Sequence, residues 1–385
     1  MLTGKILARS AKRHPLRTLL TVFAVAVAVL AFGLLRTVVD AWYLGVKASS
    51  ASRLVTRNAI SLMFPLPLAY KEKIRQISGV TRVSQGHWFG GIYIDERNFF
   101  ANFAVDAPSY LALYPEILLS DAERAAFLRE RTACIAGRKT VERFGWRLGH
   151  RITLKGTVFP GNWEVVLRGI YRGKEKTTDE TVLFFHWDYL NEELRRTAPG
   201  RADQVGYYMV GVARPDQAAE VAQAIDATFR NSLAETLTES EKAFVMSFIT
   251  MSEAILWAIQ LLSAAMIAII MVVAANTMAM AARERIGEYA IMKTLGFGAW
   301  RIASLVFGES LLLSVLGGAL GIPLTYAAAR FFETKLGQFF PVFQVSSATL
   351  LLDAAAIVLV GVVAGVFPFW RAVKIPIADG LRRIG

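Results

Sequence analysis

The sequence predicts a membrane protein with four transmembrane α-helices and a large α+β extracytoplasmic domain between helix 1 and helix 2. Three observations carry this. Of 385 residues, 54% are apolar and only 19% are charged, whereas a soluble domain is about a quarter charged; mean hydropathy is +0.41. The apolar excess is gathered in four blocks, one near the N-terminus and three after position 250. The net charge of +12 is gathered too. Lys5, Arg9, Lys12, Arg13 and Arg17 precede the first block; Arg283, Arg285, Lys293 and Arg301 separate the second from the third; Arg371, Lys374, Arg382 and Arg383 follow the fourth. These 13 basic residues face only three acids, Glu284, Glu288 and Asp379, while the stretch from Asp40 to Glu253 holds 27 basic and 25 acidic residues. The basicity is therefore juxtamembrane. The positive-inside rule accounts for it, and no nucleic acid is implied.

Residues 1–39 form the basic N-terminal segment and the first helix. Thr18 to Leu35 is uncharged over 18 residues and, with Thr37 to Val39, can cross a hydrocarbon core of about 30 Å. It exceeds a signal-peptide core of about 7–15 residues and lacks a small-x-small site before Asp40, so it is expected to remain as an anchor. Residues 253–282 form helix 2, built on the 29 uncharged residues Ala254 to Ala282. Residues 283–301 form a cytoplasmic segment, 302–329 helix 3, 330–353 an outer loop, 354–370 helix 4, and 371–385 a cytoplasmic tail. With the N-terminus inside, all three basic clusters share the cytoplasmic side, and both termini lie there.

Residues 40–252 read as the exported α+β domain. Leu68 to Ser78 has helical spacing and stops at Gly79; Val80 to Val83, Cys134 to Ala136, Arg151 to Lys155, Trp163 to Ile170 and Gly206 to Val212 read as strands. Arg214-Pro-Asp opens a helix on which Val221, Ile225, Phe229 and Leu233 recur every four residues. Thr238-Glu-Ser-Glu241 fits a capping box, and no Gly or Pro follows until after Ala282. One helix from about 238 is expected, about 68 Å long at 1.5 Å per residue. Roughly twice the hydrocarbon thickness, it would protrude as a stalk able to transmit motion.

Chemistry is sparse. A single cysteine, Cys134, excludes disulfides and thiolate zinc sites, and its apolar surroundings suit a buried, inert thiol. His14, His87, His150 and His186 include no pair at ligand spacing, and neither GxSxG nor HExxH occurs. No catalytic, cofactor or metal site is expected. Gly317 and Gly321 in helix 3, and Gly361 and Gly365 in helix 4, have the spacing that lets helices approach closely, within the chain or across a dimer. Glu309 is the one acid inside a membrane block; an interfacial or interhelix structural role is favoured.

The element order and several motifs resemble the MacB/FtsX-like family of ABC transporter permeases, the mechanotransmission type, across nearly the whole chain. The most specific part is Arg283-Glu-Arg-Ile-Gly-Glu-Tyr-Ala-Ile-Met-Lys-Thr-Leu-Gly296 with Glu309-Ser310. The ending Arg371-Ala-Val-Lys-Ile-Pro-Ile-Ala-Asp-Gly-Leu381 is similar to the family's closing helix. Ile77-Ser-Gly-Val80 and the run from Gly137 to Leu154 resemble its MacB-type periplasmic core. The resemblance implies a bacterial inner-membrane permease subunit that is not itself catalytic. No GxxxxGK[ST] loop is present, so ATP and Mg would act through a separate ABC ATPase, beneath a permease homodimer or pseudo-dimer. A periplasmic adaptor and an outer-membrane channel are further partners the resemblance allows. Arg283, Glu284, Arg285, Glu288 and Lys293 are then the expected ATPase-coupling face, with Gly296 ending its helix. An FtsX-like relay that regulates a cell-wall hydrolase is the alternative; a membrane-anchored enzyme leaves the three later helices unexplained.

Overall fold

The computed structural model describes residues 15–336 and 342–374. The basic residues before position 15, residues 337–341 and the closing motif beyond 374 lie outside the described residues. Two compact units divide the rest: 15–42 with 252–336 and 343–374, and 43–251 with Val342.

The helical unit is built on α1 (Pro15–Ala48), which continues past Trp42 into the other unit. The inserted domain contributes α2 (Tyr70–Arg75), α3 (Ala107–Leu113), α4 (Asp121–Arg129), α5 (Arg138–Phe144), α6 (Trp187–Thr197), α7 (Ala218–Thr228) and α8 (Glu241–Met251). Then follow α9 (Glu253–Glu284), the short α10 (Ile286–Thr294), α11 (Ala299–Leu336) and α12 (Ser347–Lys374). Segments of α1, α9, α11 and α12 are long and apolar enough to cross a membrane. Val25, Val29, Ile270, Leu313 and Val360 pack among them. Phe23, Leu261, Val272 and Leu351 remain exposed, the outward apolar surface that a lipid solvent tolerates.

The inserted domain is a mixed sheet flanked by short helices. Its strands run β13 (Thr236–Ser240), β1 (Arg53–Asn58), β12 (Tyr207–Val212), β3 (Val80–Trp88), β5 (Asn102–Val105), β10 (Leu183–His186), β7 (Ala133–Gly137), β9 (Gly161–Gly173), β8 (Arg151–Gly156) and β4 (Ile92–Tyr93). β6 (Ile117–Leu118) pairs with β9, and β2 (Leu66–Pro67) with β11 (Gln204–Val205). β5/β10 and β7/β9 are parallel. Cys134 is fully buried on β7, and burial pushes its thiol pKa up, leaving it inert.

Two expectations are corrected. The helix from about 238 does not start there: Thr236 to Ser240 form the edge strand, with Thr56 opposite Thr238. Asp226 accepts from Thr236 Oγ1, Thr238 Oγ1 and the Thr238 amide at 2.8, 2.8 and 3.0 Å. These bonds and the β-branched side chains outweigh a local capping pattern. The cap moves to Ser240, whose Oγ accepts from the Ala243 amide at 3.1 Å. The helix is also interrupted at Ser252 (φ −103°, ψ 9°), where the units divide. One residue in the bridge region suffices to break the dihedral run without Gly or Pro. Leu233 is the second correction: α7 stops at Thr228, so Leu233 lies beyond it, fully exposed, while Val221, Ile225 and Phe229 are buried.

Candidate functional site: the connection between the second and third membrane helices

The segment from Arg283 to Arg301 turns the chain from α9 through α10 into α11. α9 ends at Glu284 and the backbone bends at Arg285 (φ −103°, ψ 12°). α10 closes in a Schellman arrangement: the Phe297 amide donates to Met292 O at 3.0 Å and the Gly296 amide to Lys293 O at 3.1 Å. Gly296 takes φ +88°, a conformation that costs a side chain. Tyr289 packs with Ala282, Ile302 and Val306, and Ala290 beside it is fully buried.

The charged residues separate into two groups. Arg285 is buried, and its Nη1 donates to Glu309 Oε2 at 2.8 Å, with side chains only 10% and 12% exposed. Arg285 therefore stitches α10 to α11 rather than facing a partner, which corrects its assignment to an ATPase-coupling face. The physical reason is that Glu309 enters an apolar helix and requires a cation, and Arg285 is the one brought to it. Glu284 pairs with Arg17 at 2.5 Å, and Lys293 Nζ donates to Val373 O at 3.2 Å. Arg283 and Glu288 are exposed. Around them lies an apolar set that the charge pattern does not announce: Ile291, Leu295, Phe297 and Trp300, of which Leu295 and Trp300 are each 72% exposed. Their signal in the sequence was available. Once Tyr289, Ala290 and Met292 are assigned inward, Ile291 and Leu295 must fall on the opposite face.

The four packing glycines sit at helix crossings within the chain. A methyl group on Gly317 would lie 2.6 Å from Val25 Cβ, and one on Gly321 2.8 Å from Ala26 O, so α11 meets α1 backbone to backbone. Gly361 and Gly365 meet Leu311 and Phe307 of α11, and Ser310 Oγ donates to Gly361 O at 2.8 Å.

A further polar group was assigned to the outer loop. Asp353 instead lies inside α12, fully buried, beside Gly33 and Thr325, and neither carboxylate oxygen has a hydrogen-bond partner among the described residues. An unsatisfied buried group costs about 1–3 kcal/mol. Asp353→Leu keeps the branching at the γ position and removes the orphan, so it is expected to raise the thermal unfolding midpoint; a fall would show that Asp353 is satisfied by a group outside the described residues.

Four helices long and apolar enough to cross a membrane, an α/β domain inserted after the first, and a short charged turn after the second define the class as a membrane protein with one large inserted domain. Residues 261–377 match the family model described as FtsX-like permease C-terminal. A 108-residue stretch is 32% identical to the macrolide export ATP-binding/permease protein MacB of Campylobacter fetus subsp. fetus, covering 28% of this chain and 16% of that protein. The comparisons thus place an FtsX-like permease C-terminal segment in the last third of the chain, and the chain spans only 16% of the length of this curated relative. Similar solved structures include the extracellular domain of the noncanonic ABC-type transporter YknZ from Gram-positive bacteria (12% identity, 49% of this chain and 100% of that one, TM-score 0.35). Another is the periplasmic region of MacB from Actinobacillus actinomycetemcomitans (8% identity, 53% and 95%, TM-score 0.37).

Proposed function

We propose that this chain is the permease subunit of an ABC transporter in the bacterial inner membrane, coupling ATP hydrolysis by a separate subunit to movement of the inserted domain outside the membrane, and so driving export or extraction of a substrate. The observation that carries this is the turn from Arg283 to Trp300. Its inward face is fixed by the Arg285–Glu309 pair and by Tyr289, while Arg283, Glu288, Ile291, Leu295 and Trp300 form an exposed face of mixed charge and apolar area. A rigid segment with such a face suits docking in a groove, where apolar anchors give affinity and rim charges give register. ATP and Mg are bound by the partner, since the chain carries no GxxxxGK[ST] loop. Two copies of the permease, or a pseudo-dimer, would straddle the two ATPase subunits, with both termini cytoplasmic.

The purified chain is expected to turn over no ATP alone and to support substrate-linked turnover once its ATPase is added. Leu295→Asp, on the exposed face, is expected to leave folding intact and weaken assembly by about 2 kcal/mol, the threshold of an interface hot spot. Pull-down of the ATPase checks this; unchanged assembly would remove the face from the interface.

A further inference from the structure

The inserted domain contains a cavity of about 710 Å³, within the range of about 300–1,000 Å³ typical of small-molecule sites. One wall is the sheet, through Val55, Phe103, Tyr207 and Met209. The opposite wall is α8, through Glu241, Phe244, Val245 and Phe248, the i, i+3, i+4, i+7 face of that helix. Met63 and Trp88 stand at the mouth, 67% and 39% exposed.

The polar groups of the lining sort in an unusual way. Both carboxylates are already occupied. Glu241 accepts from the Ser50 amide and Arg53 Nε at 2.8 Å each and from Tyr114 Oη at 3.0 Å. Asp179 Oδ1 accepts from the Thr181 amide and hydroxyl at 2.7 and 2.6 Å. His87 places Nδ1 3.0 Å from Trp88 O, and burial lowers its pKa, keeping the ring neutral. The hydroxyls of Tyr110 and Tyr207, which burial keeps un-ionised, make no hydrogen bond among the described residues. The cavity thus offers a large apolar room and free neutral hydroxyls, with both of its carboxylates already engaged in hydrogen bonds within the domain. Stranding an ion there would carry a heavy desolvation cost.

We propose that this cavity binds a neutral amphiphile, with an apolar body against Phe103, Met209 and Phe244 and an uncharged hydrogen-bonding group at Tyr110 and Tyr207. Because α8 forms one wall, occupancy sets the position of that helix; the consequence for transport rests on the proposed permease function, whereas the binding does not.

The test uses the full chain in lipid nanodiscs with a monoacylglycerol carrying a diazirine in its acyl chain, followed by peptide mapping after photolysis. Adducts are expected at Met63, Trp88 or Phe248 in the cavity, and at Leu261 and Val272 on the apolar outer surface of α9. Val245→Trp, which narrows the cavity on its α8 wall, should weaken the first set and keep the second, with Cys134 still closed to maleimide as proof that the domain is folded. Unlabelled monoacylglycerol should suppress cavity labelling, and a fatty acid or alkyltrimethylammonium of equal chain length should not. Where Val245→Trp exposes Cys134, this competition alone decides. Adducts confined to the membrane helices, cavity adducts undiminished in folded Val245→Trp, or equal competition by the charged analogues would overturn the proposal. Loss of export with cavity labelling intact would count against the transport reading and leave the site standing.

Discussion

Arg285→Met is expected to destabilise the helical unit by about 3–5 kcal/mol, the cost of stripping a buried ion of its partner. Glu309 would be left inside α11, 12% exposed, with its 2.8 Å partner gone. The double variant Arg285→Met/Glu309→Leu should recover most of the loss, since replacing both members of a buried pair by apolar groups of similar size is often neutral or stabilising. Thermal unfolding of the full chain in detergent, run as a double-mutant cycle, measures the coupling. A single variant as stable as the parent, or a double variant no better than the worse single, would show that the pair is hydrated and energetically idle. The cycle bears on function as well. If the pair fixes the orientation of α10, the double variant should be stable yet present the Leu295 and Trp300 face in a less defined direction.

The membrane part was legible because its physics is one-dimensional. An uninterrupted apolar run such as Ala254 to Ala282 has few alternatives to a helix, and α9 runs from Glu253 to Glu284. The close approaches at Gly317 and Gly361 were legible for the same reason, as spacing on a helix. What the sequence concealed was tertiary. Glu309 has Arg301 eight residues away, but its partner is Arg285, 24 residues back, and only the fold selects between them. Thr238 has the local pattern of a helix cap, but Asp226 and Thr56 stand beside it and hold it in the edge strand. Asp353 looked like loop because a charge ends a hydropathy window, yet the helix continues through it. The exposed apolar residues in and after α10 stand among charges that the positive-inside rule already explains, which hides them in the sequence. For Glu309 and Thr238 the missing information is which distant residue the chain brings near.

Arg53→Met should have the second large effect, a loss of about 3–5 kcal/mol from the inserted domain. Arg53 is 8% exposed and lies at the centre of a clasp: Glu241 at 2.8 Å, Glu116 at 2.7 Å, Leu113 O at 3.0 Å, and the ring of Tyr114 4.2 Å away. Burial opposes its charge, but Glu241 and Glu116 outweigh this and hold it protonated. Glu241 is the first residue of α8, so the clasp is what ties that helix to the sheet. Removing the guanidinium leaves two carboxylates facing each other with no cation between them. Arg53→Lys should lose less than Arg53→Met, since the charge stays while the planar fork that serves Glu241, Glu116 and a carbonyl together is gone. The check is the rate at which the single thiol, Cys134 on β7, becomes reactive to maleimide on warming, which reports opening of the same domain. Arg53→Met should expose it at lower temperature than Arg53→Lys, and Arg53→Lys at lower temperature than the parent. Equal rates for Arg53→Met and the parent would mean that α8 is held by its apolar face, Phe244 against Val55 and Met209, and that the clasp is ornamental to the fold.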